Sequence, residues 1–322
     1  MTAAKRNEKQ ARQQISGRRS TVVRILVCIK WVLDTDGAIP VDTEANAILQ
    51  AGLHWTVSPL DRLALEEAAR MKEAGICEHI TALCLGPAPA ADALRVALAS
   101  GADRAIHICD SDLESADSCT TGIVLAKAIT ALSLEYDLIL CGARAADTNA
   151  GLAGPAIAAA LHLPMVTEVD RIEVSGQNMA IVRKKLEAGD KAIVEVPLPA
   201  LLTVETGINR PRYLKLRAKL LAARHPIETY YLRGLGLTPG DTILTPKTKV
   251  IAVGPPRPRG KKLFTPDSSL SAAERMRQLM SGGATQKASS GLLEGDPKTL
   301  ATKCVQFLKE KQLLPEPPSS VH

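Results

Sequence analysis

Aromatic residues are scarce in this chain: two Trp, four Tyr and two Phe among 322 residues. So small a set supplies few platforms for stacking bases, which excludes single-strand nucleic-acid binding as the main business of the protein. Apolar runs of ~20 residues are absent, so no membrane-spanning helix is expected. The seven cysteines, at 28, 77, 84, 109, 119, 141 and 304, form no CxxC pair. Zinc sites and disulfides are therefore not expected, and Cys28, Cys84, Cys109 and Cys141, lying in or beside apolar runs, read as small buried hydrophobes of a reducing compartment. Neither a GKS/T phosphate loop nor a GxGxxG fingerprint occurs. His79, His107, His162 and His225 have no Ser, Cys or carboxylate at a catalytic spacing and read as structural. Glu66-Glu67 and Lys184-Lys185 read as solvated faces. With no nucleophile and no acid–base set, hydrolase and transferase chemistry are disfavoured.

What is present begins with charge. The net charge of +6 is concentrated in the first 24 residues and in Arg257-Pro258-Arg259-Gly260-Lys261-Lys262, which read as solvated tails and linkers. Residues 1–21 lack the apolar stretch of a secretory signal. They are basic, with Ser and little acid, but too poor in apolar residues for the amphipathic face of a transit peptide. A disordered basic extension on a cytoplasmic protein is expected, with a mitochondrial matrix location as the alternative.

From Val22 onward strand and helix patterns alternate. Val23–Lys30 is a strand, followed by a polar loop. Ser58-Pro59 opens a helix, with Ser as a cap and Pro at the first position. Leu60, Leu63, Ala64 and Ala68 form its apolar stripe, while Asp61, Arg62, Glu66, Glu67, Arg70 and Lys72 face out. A strand at His79–Leu85, a helix at Ala90–Ser100, a strand at Ala105–Ile108, a helix at Thr120–Leu134 and a strand at Tyr136–Leu140 complete a βαβ series, which implies a parallel sheet. Beyond Pro164 four short β-branched runs, Val166–Val174, Met179–Lys184, Ala192–Val196 and Leu201–Val204, read as a mainly antiparallel extension. Residues 207–231 are polar and basic around Asn209-Arg210-Pro211-Arg212-Tyr213. After about residue 240 Pro, Gly, Ser and Lys dominate, except for a terminal helix over 296–314.

In open α/β sheets a ligand sits beyond the carboxyl ends of the strands. The stretch CGARAADTNAGLAGP, residues 141–155, leaves such an end and enters a helix. Its glycines let main-chain amides approach an anion, and a helix start favours negative charge. Asp147, Thr148 and Asn149 could cap the helix or bind a ribose, and Arg144 could face a phosphate. The residues alone leave an ordinary capped loop and a nucleotide site equally open.

Taken in order, several stretches resemble the β subunit of electron-transfer flavoproteins: RILVCIKWVLD (24–34), SPLDRLALEEAARMKEAG (58–75), ALCLGPAPAADALRVALASGADRAIHI (82–108), the 141–155 loop, and LPALLTVETGINRPRYLKL (198–216). The similarity spans about 22–240 together with the terminal helix. It implies an α/β Rossmann-like fold of the adenine nucleotide α-hydrolase type with an antiparallel extension and an extended C-terminal arm over 241–322. It also implies a heterodimer with a larger α subunit, an FAD shared with that subunit, and AMP or a second FAD in the chain's own crevice. On this resemblance the cofactor-binding residues are Cys28, Ser58, Leu85, Gly142, Ala143, Arg144, Ala145, Ala146, Asp147, Thr148, Asn149, Ala150, Gly151, Leu152 and Ala153. Docking to a flavin dehydrogenase, such as an acyl-CoA dehydrogenase, falls to the loop 207–223, through Asn209, Pro211, Arg212, Tyr213 and the anchor Leu216. Departures from the family pattern occur at Ser58, Arg144, Ala150 and Leu152, which remove side-chain donors and leave main-chain ones, and at Lys185, where a Glu is common. The implied role is electron carriage without bond chemistry. The alternatives are a subunit of an electron-bifurcating flavoprotein with NADH and second FAD sites, and a nucleotide-binding module of the universal-stress type.

Overall fold

The computed structural model describes residues 22–35, 37, 39–42, 44, 47–49, 52–113, 116–175, 178–238, 240–254, 270–280 and 295–310. The expected basic extension at 1–21, the basic run 257–262 and the end of the terminal helix at 311–314 lie outside them. The chain divides into two compact units between residues 255 and 256.

The first unit carries strands β1 (Val23–Ile29), β2 (Trp31–Leu33), β3 (Val41–Asp42), β4 (Ala47–Ile48) and β5 (Trp55–Val57), helix α1 (Pro59–Glu73), β6 (Cys77–Leu85), α2 (Ala91–Ser100), β7 (Arg104–Ile108), α3 (Ser118–Ala131), β8 (Leu138–Gly142) and α4 (Ala153–Leu161). It continues with β9 (Met165–Ser175), β10 (Met179–Lys185), β11 (Lys191–Pro197), β12 (Ala200–Val204), α5 (Leu216–Arg224) and β13 (Glu228–Tyr230). The second unit contains α6 (Ala272–Met280) and α7 (Pro297–Glu310).

Nine strands form one sheet in the order β11-β10-β9-β12-β8-β1-β6-β7-β13. From β1 the chain steps outward through β6 and β7, then crosses to β8 on the other side of β1. That reversal is the topological switch point of a doubly wound sheet. Side chains of β1 alternate between two cores, as the two-residue period of a strand requires. Val23, Ile25, Val27 and Ile29 pack with α1 and α2 on one face, whereas Leu26 and Cys28 pack with α3 and α4 on the other. A strand covered on both sides reads as a continuous apolar run, which is why β1, β6 and β8 stand out in the sequence.

The antiparallel extension consists of β9, β10 and β11. Leu201–Val204 is not part of it: β12 runs parallel to both β8 and β9, with Leu202 opposite Leu140. Its five residues are all buried, the signature of a central strand rather than of an outer one. Ile193, in contrast, is 69% exposed on β11, the outermost strand. The polar loop after β1 also contains pairing the sequence did not announce: β2 with β5 and β3 with β4, each only two or three residues long. Likewise 207–231 includes α5 and β13. Arg95 on α2 donates from Nη1 to the carbonyl of Ala222 at 2.7 Å and to that of His225, meeting carbonyls at the end of α5 that helix geometry leaves unpaired.

Helix α1 corrects two further expectations. Its apolar stripe is as expected, but Asp61, Glu66 and Glu67 are buried as well. Residues 209–212 lie along the flank expected to be solvated. Arg212 donates from Nε to Glu66 at 2.8 Å and Asn209 Nδ2 to Glu67 at 2.9 Å. Lys184 and Lys185 are half-buried and bond to Thr167 and Thr206. His107 is a structural histidine, its Nε2 3.0 Å from the carbonyl of Gly86, and burial lowers its pKa.

Candidate functional site

The switch point is a fork. β1 and β8 pair through Ile25–Leu138 and Val27–Leu140, and that pairing stops before Lys30 and Gly142. Beyond the fork the loop 143–152 runs across the start of α1. Between them Ser58, Pro59, Leu60, Arg144, Ala145, Ala146 and Asn149 line a recess of about 160 Å³.

Ser58 is fully buried, and its hydroxyl makes no hydrogen bond. It precedes Pro59 at the first helical position but does not cap α1 with its side chain, contrary to the sequence expectation. A buried hydroxyl without a partner costs about 1–3 kcal/mol, and one beside an open recess is placed to recover that from a ligand.

The loop is shaped by its own main chain. Asn149 donates its amide to Ala145 at 2.9 Å and itself adopts φ +51°. Gly151 has φ +62°, and a Cβ there would lie 3.1 Å from the carbonyl oxygen of Ala143, so glycine is needed on two counts. The expected cap of α4 by Asp147, Thr148 or Asn149 does not occur. Leu152 occupies the cap position and makes no side-chain bond, while Asp147 pairs with Lys30 Nζ at 2.6 Å. The amides of Gly151, Leu152, Ala153 and Gly154 have no protein acceptor among the described bonds. They lie at a helix start, where the dipole favours negative charge.

Side-chain cations contribute less than the sequence suggested. Arg144 lines the recess, yet its Nη1 is held 2.7 Å from Glu205 Oε2. Burial of Glu205 opposes its ionisation, but the amide and hydroxyl of Thr206, together with Arg144, hold its carboxyl below the usual range. Lys30 is likewise committed to Asp147. The donors left unspent at the site are therefore main-chain amides.

Asp61, which the sequence reading placed outside, is 7% exposed at the base of the fork. Its Oδ1 accepts from Gly142 N at 2.7 Å and its Oδ2 from Lys30 N at 2.8 Å. Burial pushes its pKa up to about 7, opposed by those two amides and the Lys30 ammonium. The only sequence signal for it was position: a carboxylate in the first turn of a helix that begins beside a strand end. Cys28 is buried at the end of β1 with its thiol pushed up by burial and by Asp61, which disfavours its thiolate. Leu85 ends β6 and is half-buried. Of the expected cofactor-binding residues, Ser58, Arg144, Ala145, Ala146 and Asn149 line the recess, whereas Cys28, Leu85, Gly142, Ala143, Asp147, Thr148 and residues 150–153 do not.

The residues expected to dock a partner form a second surface. Asn209 and Arg212 are tied to α1, Arg212 also reaching Glu73. Tyr213 is 99% and Leu216 72% exposed, and Leu220 and Leu221 extend the apolar patch along α5. Arg210, Lys215, Arg217 and Lys219 are exposed around it. Among the described residues no cluster of His, Cys, Asp and Glu could hold a metal ion, and no helix is long and apolar enough to cross a membrane.

The profile of the electron transfer flavoprotein domain matches residues 46–232. The electron transfer flavoprotein subunit beta of Thermoanaerobacterium thermosaccharolyticum is 36% identical over 247 residues, covering 76% of this chain and 92% of that protein. The corresponding subunit of Megasphaera elsdenii is 35% identical over 210 residues, 64% of this chain and 77% of its own. The caffeyl-CoA reductase-Etf complex subunit CarD of Acetobacterium woodii is 32% identical over 245 residues, 76% and 92% of the two chains.

Proposed function

The chain belongs to the electron transfer flavoprotein β-subunit family, and from that premise we propose that it pairs with an α subunit and helps enclose an FAD shared with it, carrying electrons from a flavin dehydrogenase to a downstream acceptor. Its own crevice holds an adenine nucleotide. The reading rests on one observation above all: the buried, unpartnered Ser58 hydroxyl beside a recess at the switch point of the sheet. The amides of Gly151–Gly154 supply the phosphate contacts, and Ser58 and Asn149 reach the sugar or base.

The flavin, when bound, supplies the redox chemistry. This chain's residues bind, orient and exclude water, and no side chain at the recess is set up to break a covalent bond. Leu216 is the apolar anchor of the docking surface. Arg210, Lys215, Arg217 and Lys219 form its charged rim, an arrangement in which a central hydrophobic contact dominates the binding energy. An acyl-CoA dehydrogenase is the favoured donor.

AMP is the favoured nucleotide. A second FAD, and with it an electron-bifurcating role that uses NADH, is the competing reading. It is favoured by alanines at 143, 145, 146 and 150, which keep the loop small at those four positions. Co-purification with the α subunit, followed by an absorbance spectrum and analysis of acid-released nucleotides, separates them. One flavin and one AMP per pair are expected. Two flavins would replace the simple carrier by the bifurcating form, and the lack of any flavin-bearing partner would favour a stress-type module.

A further inference from the structure

We infer that Asp61 is the positioning residue that sets the width of the crevice mouth, by bridging the ends of β1 and β8 where their own ladder stops. The inference rests on the nucleotide reading above for its consequence but not for its geometry. β1 and β8 separate after Val27 and Leu140. One carboxylate then fills the fork: Oδ1 takes the amide of Gly142 and Oδ2 that of Lys30. Gly142 is as specific as its partner, because a Cβ there would sit 2.6 Å from Asp61 Oδ1 and 2.8 Å from Leu60 Cβ. The Gly142 amide begins the loop that borders the recess, and the Lys30 carbonyl accepts the amide of Ser58, which lines it, at 3.0 Å, so the carboxylate fixes where both borders start.

Two facing donors demand two acceptors. Asparagine has the same shape but offers one oxygen and one NH2 group, so one of the two amides loses its acceptor and confronts another donor. An isosteric change therefore tests the bridge rather than the volume. The charged and titratable groups facing Asp61 are Lys30 and Asp147 on the loop side and the thiols of Cys28, Cys84 and Cys141 in the cores. Burial brings its titration close to neutrality. Protonation of Asp61 would put a hydroxyl where one of the two amides needs an acceptor, so the bridge is strongest in the ionised form.

The test uses the full-length chain, the variants Asp61→Asn and Gly142→Ala, amide hydrogen exchange, and calorimetric titration with AMP between pH 6 and 8. In Asp61→Asn, exchange accelerates by about tenfold or more in at least one of the segments 28–31 and 141–152, while β7 stays as in wild type. AMP affinity falls by about tenfold. Wild-type affinity falls as the pH falls toward 6 by more than in the variant, whose side chain cannot titrate. Unchanged exchange in both segments overturns the inference, and so does a variant that keeps both the affinity and the pH slope of wild type. Should wild type take up no AMP, the nucleotide reading fails while the exchange result still decides the bridge. Gly142→Ala attacks the same contact from the other side and carries the test if Asp61→Asn does not fold.

Discussion

The crevice loop and the docking segment both lean on α1, yet they are held by opposite means. Residues 142–153 are fixed mainly by main-chain contacts and close approach: two glycines, a left-handed Asn149, and a carboxylate that receives amides. Residues 209–215 are fixed by long side chains reaching carboxylates on α1. The loop proposed to take an anion leaves four amides unspent. A surface that must hold an exposed leucine forward spends its arginine on anchoring. The first should be sensitive to added bulk and the second to lost charge.

The strongest way to break this contrast is bulk beneath the loop. A Cβ at Gly122 on α3 would lie 2.6 Å from the carbonyl oxygen of Ala153 and from Ala156 Cβ. Gly122→Ala is expected to cost about 2–3 kcal/mol, read from the urea midpoint, and to weaken AMP binding by displacing the first turn of α4. Next is Arg212→Ala, which strips Glu66 of the guanidinium and leaves it only the main-chain amide of residue 212. Because the guanidinium is partly exposed, the cost is discounted to about 1–2 kcal/mol. Exchange should quicken in 209–215 but not in 142–152, and if the loop quickens equally the two regions are not held independently. Leu216→Ala should leave the unfolding midpoint within about 0.5 kcal/mol of wild type while lowering dehydrogenase affinity by about tenfold or more, measured by surface binding. A matching loss of stability would make Leu216 a packing residue instead.

The smallest effect is expected at Arg144→Ala, about 0–1 kcal/mol at neutral pH. Since Glu205 has a lowered pKa in the folded chain, its contribution is full above the ordinary glutamate range and lost as the pH falls through its folded value. Removing Arg144 should flatten that acid limb of the stability profile. An unchanged limb would show that Thr206 and Lys185 sustain the carboxylate without Arg144.

The parallel core was legible because β1, β6 and β8 are buried on both faces and spell that out in unbroken apolar runs. The loop at 141–155 was legible because glycine and small residues cluster where a strand meets a helix. The environment of α1 was not. The reading placed Glu66 and Glu67 in solvent because helical periodicity reports polarity, and nothing local says that Asn209 and Arg212 return across more than a hundred residues to cover them. Asp61 was missed for the same reason: its partners are main-chain amides, which leave no mark on the sequence. The β2–β5 and β3–β4 pairs are too short for a periodic signal, and α5 was hidden by the density of lysine and arginine around its leucines.

β11 ends the nine-stranded sheet, and a terminal strand carries a row of backbone groups that another chain could extend. Here that border bears Lys191 and Glu195 and closes on Pro197, which lacks an amide proton. Ile193 alone offers grease to a stray strand, flanked by opposite charges two residues to either side. The same rim that marks the limit of the fold thus discourages unwanted growth of the sheet, a safeguard that leaves strand-to-strand association to partners able to satisfy the charges as well.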